Sequence, residues 1–146
     1  MKISRSNFFI HLVSLLLICL FIYSAIAKLA DFEKFVSQIK QSMLIRPFAI
    51  NIAIGIPILE IGIVALLFFD STRIWGLYLS YSLMILFTCY IITITQFSEV
   101  VPCSCGGVLE NMSWSAHMYF NLAFVLLSCS AICIHRAKNK KESLLQ

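Results

Sequence analysis

Residues 49–69 read AINIAIGIPILEIGIVALLFF. The run is apolar but for Asn51 and Glu60, and Asp70 closes it. At about 1.5 Å per helical residue it matches the roughly 30 Å hydrocarbon core of a bilayer. Three further runs have the same character: residues 8–27, 74–94 and 117–135. Four spans of roughly 20 residues consume most of the 146-residue chain, leaving two tails and three loops. The composition agrees: 60% of residues are hydrophobic and 12% are charged, about half the charge of a soluble domain, which carries roughly 25%. This excludes a soluble catalytic domain, a second domain and a nucleic-acid module. It also excludes intrinsic disorder, which needs low hydrophobicity and high net charge. The fold class is all-α: a four-helix transmembrane bundle forming a single integral membrane domain, residues 1–146, in a lipid bilayer.

The placement of charge orients the bundle. An even number of spans puts both termini on one side. That side, with the 70–73 turn, holds Lys2, Arg5, Arg73, Arg136, Lys138, Lys140 and Lys141. The other side holds Lys28, Lys34, Lys40 and Arg46. Basic residues concentrate on the cytoplasmic side, so both termini are expected there, in a cytoplasmic (bacterial inner) membrane. The net charge of +4 is then a topology signal or an anionic-lipid contact. The segment 95–116 has no Lys or Arg and is the clearest outer loop. Lys2, Arg5 and the Ala25-Ile26-Ala27 triplet also fit a signal peptide. Cleavage there leaves the later spans in the same orientation.

Between spans 1 and 2, Phe32, Phe35, Val36, Ile39, Met43 and Leu44 recur at helical spacing, with Glu33, Lys34, Gln38, Lys40 and Gln41 between them. This predicts an amphipathic helix over 31–45. It lies in the outer interface or packs on the bundle as a linker.

Of six cysteines, only Cys103 and Cys105 occupy a polar segment, Pro102-Cys103-Ser104-Cys105-Gly106-Gly107. Two cysteines one residue apart can close a tight ring, and strain makes a disulfide reducible. Gly106 and Gly107 relieve the backbone and admit a partner thiol. Cys103 and Cys105 are therefore candidate redox-catalytic residues, open to attack by a partner thiolate that forms a mixed disulfide. Two other readings stay open. In one the pair staples its own loop; in the other it binds a thiophilic metal with His117, although no closed four-ligand set is visible. Cys19, Cys129 and Cys133 read as packing residues, and Cys89 as a candidate buried relay thiol.

Glu60 lies mid-span, where an acid costs about 2.5–3.5 kcal/mol. It is either a proton carrier or cofactor ligand, or a polar link between helices. Pro57 is expected to kink its span. His117 and Asn121 share a face at i,i+4, either at the interface or against a cofactor. Lys28 snorkels outward or lowers a loop cysteine's pKa.

Taken in order, these features resemble a known family. Tyr23-Ser24-Ala25-Ile26-Ala27-Lys28-Leu29 and Pro57-Ile58-Leu59-Glu60-Ile61-Gly62 resemble motifs of DoxX-like membrane proteins. The cysteine segment resembles the loop of the methylamine utilisation protein MauE, with Gly106-Gly107 where that loop carries an aromatic. The resemblance spans residues 8 to 135. It implies a bacterial inner-membrane, redox-associated protein working with a thioredoxin-like periplasmic partner, as in maturation of methylamine dehydrogenase. The related vitamin K epoxide reductase and DsbB families pass electrons between thiols and a quinone. By that analogy a quinone is implied near Glu60 or the His117–Asn121 face.

Overall fold

The computed structural model describes residues 5–41, 45–97 and 114–143. The described residues form helices and turns and no strand. Helix α1 is Arg5–Ala30, α2 is Phe32–Gln41, α3 is Ala49–Phe68, α4 is Arg73–Phe97 and α5 is Trp114–Ser143. A 3-10 turn, Arg46–Phe48, leads into α3 and contains Pro47, whose fixed φ suits a first helical turn. Four stretches are long and apolar enough to cross a membrane: Arg5–Ala30, Arg46–Phe68, Arg73–Thr93 and Ala116–Lys138. They contain the expected runs within one residue at each end. The protein is a multi-pass helical membrane protein.

Helix α1 packs on α3, α3 on α4, α4 on α5, and α5 back on α1. The interior stripe of α1 is Ile10, Val13, Ser14, Leu17, Phe21, Ser24, Ala25 and Lys28. That of α3 is Ala49, Ala53, Pro57, Glu60, Ile63 and Leu67. Both advance by three or four residues, the spacing of one helix face. Helix α3 runs through Pro57 without interruption, and Pro57 is buried on this stripe.

The bundle has two unlike halves. In the half nearer the termini, Val13, Leu17, Ile63, Leu67, Leu77 and Ala131 form a closed core. Gly76 permits the approach of α4 to the end of α3. A Cβ there would stand 2.9 Å from the Leu67 backbone nitrogen and from its side chain. The buried serines satisfy themselves: Ser14, Ser80 and Ser128 donate to the carbonyls of Ile10, Gly76 and Phe124 at 2.8, 2.7 and 2.8 Å. They therefore allow close packing at no polar cost.

The opposite half is roofed by α2. Phe35 and Ile39 of α2 bury against Ala49 and Ala53 of α3, while Glu33, Lys34, Ser37 and Lys40 stay exposed. The helix is therefore packed on the bundle by its apolar face.

Candidate functional site

The bundle interior away from the termini holds the charged residues of the spans. Lys28, on the last turn of α1, is 3% exposed, and Glu60 of α3 is fully buried. Lys28 Nζ lies 2.8 Å from Glu60 Oε1. Ser24, one turn before Lys28, donates to the same oxygen at 2.9 Å, and Lys28 in turn donates to the Ser24 hydroxyl. The rings of Phe35 and Phe87 lie 5.8 and 5.9 Å from the ammonium, within cation–π range. Lys28 thus turns inward instead of snorkelling. Removing either ion from water costs several kcal/mol, and the pair with its hydroxyl offsets what neither could alone. Glu60 is hydrogen-bonded, and it links α3 to α1.

Beside this pair is a cavity of about 470 Å³. Its walls are almost wholly apolar, with Phe21, Ile39, Leu83, Met84 and Phe87 among them. Ser24, Lys28, Glu60, Tyr90, His117 and Asn121 supply the polar groups. His117 and Asn121 are 3% and 5% exposed, so the face they share points into the protein and not to the interface. Three polar atoms at the cavity lack a hydrogen-bond partner among the described residues: Glu60 Oε2, the Tyr90 hydroxyl and Asn121 Nδ2. Buried polar atoms left in this way are costly, and a group that meets them gains accordingly. Leu59 and Leu86 line the cavity and are also 44% and 64% exposed on the bundle's flank.

The structure therefore brings Glu60, His117 and Asn121 to one cavity together with Lys28, Ser24 and Tyr90, three residues that sequence alone does not join to them. The signal for Lys28 was present, since a lone base and a lone acid in apolar runs are expected to pair. Tyr90 carried no such signal. Cys103 and Cys105 lie outside the described residues, as does the rest of 98–113. That segment joins the ends of α4 and α5 nearest the cavity, beyond Tyr90 on one side and before His117 on the other. Cys89 is exposed, not buried. In a bilayer the outward face is as apolar as the core, so a thiol gains little by turning inward. Cys19 and Cys133 are exposed for the same reason, and Cys129 is half-buried. Among the described residues, no three His, Cys, Asp or Glu cluster to hold a metal ion.

Fold and site define a multi-pass helical membrane protein with a buried ion pair at the wall of an apolar cavity. The family described as methylamine utilisation protein MauE matches residues 6–134, nearly the whole chain, and the protein belongs to it. No curated protein and no solved structure gives a significant match.

Proposed function

We propose that the protein is a membrane thiol–disulfide redox protein that exchanges disulfides with a thioredoxin-like partner through Cys103 and Cys105, on the side of the membrane away from the termini. The observation that carries this reading is position. The segment with both cysteines leaves and re-enters the bundle at the end that holds the cavity with its unpartnered polar atoms. Family membership supports the same reading.

In the forward direction a partner thiolate attacks the Cys103–Cys105 bond. One cysteine enters a mixed disulfide and the other leaves as a thiolate. The partner's second thiol then displaces the first, so the partner becomes a disulfide and Cys103 and Cys105 become thiols. Two electrons and two protons have passed to the pair.

Family analogy implies a quinone as the acceptor that renews the disulfide, and the residues at the cavity fit one. Its ring and tail match the apolar walls, and its carbonyl oxygens match the donors Asn121 Nδ2 and Tyr90 OH. Bound there, a quinone would supply a two-electron, two-proton acceptor soluble in the bilayer. Within the chain, Asn121 and Tyr90 orient the ligand. Glu60 Oε2 is a nearby proton-accepting oxygen, and Lys28 with Ser24 holds the other carboxylate oxygen in place. The exposed edges of Leu59 and Leu86 give such a ligand a lateral route from the lipid.

The test is trapping. Cys103→Ser and Cys105→Ser variants are expressed in the native host and disulfide-linked species are identified by mass spectrometry. One single variant is expected to accumulate a mixed disulfide with a thioredoxin-like protein, absent from the double variant. Failure of both single variants to trap any protein contradicts the proposal. So does a stoichiometric metal retained by the wild type and lost from the double variant, which would favour the thiophilic-metal reading.

A further inference from the structure

The end of the bundle that carries the termini holds a second pocket, of about 260 Å³. Three parts of the chain meet there: Asn7 and His11 from the first turns of α1, Asp70 and Arg73 from the α3–α4 turn, and His135 and Lys138 from the last turns of α5. None of these residues takes part in the cavity described above.

Arg73 is held in place before any ligand arrives. Its Nε donates to the Leu67 carbonyl at 3.3 Å, and its Nη1 pairs with the Asp70 carboxylate. Neither of these bonds uses its second terminal nitrogen, Nη2. Two permanent cations, Arg73 and Lys138, line the pocket together with one carboxylate, that of Asp70, which is largely solvent-facing, with a side chain 81% exposed. The Asn7 amide and the two imidazoles add N–H donors. The level in the membrane is also defined. Arg73 opens the third apolar span, Lys138 closes the fourth, and Asn7 lies in the first turn of the first. That is headgroup depth.

We propose that this pocket binds the phosphate of one anionic phospholipid. The Nη2 that those two bonds leave unused offers a phosphate oxygen a charge-assisted hydrogen bond. An anionic leaflet brings such groups to the right depth. Exposed tail residues such as Arg136 and Lys140 would attract an anionic surface without stoichiometry. A concave pocket with a pre-positioned arginine selects one headgroup.

The full-length protein, purified in a neutral detergent, is titrated with phosphatidylglycerol, phosphatidylcholine and inorganic phosphate and read by native mass spectrometry. One phosphatidylglycerol is expected per chain, with no comparable retention of phosphatidylcholine. An Arg73→Gln/Lys138→Gln variant should weaken retention at least tenfold, whereas Arg136→Gln/Lys140→Gln should leave it within twofold. Asp70→Asn keeps an acceptor for Arg73 but removes the opposing charge, and should tighten binding. Equal retention of phosphatidylcholine, or equal weakening by the tail and pocket variants, overturns the proposal. Displacement of the lipid by inorganic phosphate at equal concentration overturns the lipid as the source.

Discussion

The two halves of the bundle are built from similar helices and reach opposite results. Near the termini, Val13, Leu17, Ile63, Leu67 and Leu77 close on one another, and a glycine is placed where α3 and α4 touch. Every buried serine there is satisfied within its own helix. At the other end, Lys28, Glu60, Ser24, Tyr90, His117 and Asn121 surround space instead of filling it. Dispersion packing is the main force in the closed half, because lipid is as apolar as leucine. The open half gives up that packing and keeps polar atoms without protein partners, an arrangement that stability by itself does not favour. On the proposed function, the difference gives stability to one half and chemistry to the other.

Variants can break this comparison or sharpen it. The largest effect is expected at the ion pair. Lys28→Ala or Glu60→Ala leaves a buried charge alone and should cost about 3–5 kcal/mol, read as loss of thermal stability in detergent. A Lys28→Met/Glu60→Met double variant should recover most of that loss, since apolar replacement of a buried pair is often neutral. If it also kept thiol exchange, the pair would be a helix link and nothing more.

Next in size is Leu17→Ala, in the closed core and fully buried. It should cost about 2–4 kcal/mol through the cavity it leaves, with thiol exchange unchanged per folded molecule. Gly76→Ala should follow at about 1–3 kcal/mol. The atom its methyl meets at 2.9 Å includes the Leu67 backbone nitrogen, which cannot rotate away as a side-chain tip can.

The smallest stability change is expected at the open half. Asn121→Leu removes an amide nitrogen that has no partner among the described residues and should move stability by less than about 1 kcal/mol, while lowering the rate at which the Cys103–Cys105 disulfide is renewed. A large destabilisation by Asn121→Leu would place Asn121 among the packing residues and dissolve the contrast.

Much of the fold was legible because a bilayer imposes length. The run 49–69 and its three counterparts could be counted directly, and each reappears within a helix. Which face of each span turns inward was harder, since nearly all faces of α1 and α3 are apolar. The polar residues carried that information. Ser14, Ser24 and Lys28 mark the inner face of α1, Glu60 that of α3, Ser80 that of α4, and His117, Asn121 and Ser128 that of α5. The same rule explains the thiols. Cys89 and Cys19 are apolar enough to face lipid, so their type says nothing about side. Lys28 was misread because its place at the end of a span suits snorkelling. Only the register of α1 against α3 brings it 2.8 Å from Glu60. Tyr90 was not legible at all, since a tyrosine near a span's end is ordinarily an interface residue.

If the cavity and the cysteine pair act together, the redox state of Cys103 and Cys105 reports it directly. Thiols are alkylated with a mass-shifting reagent in growing cells, and the pair is read in the wild type and in an Asn121→Leu/Tyr90→Phe variant of matched abundance. A disulfide is expected in the wild type and accumulation of the two free thiols in the variant. The same redox state in both would contradict it.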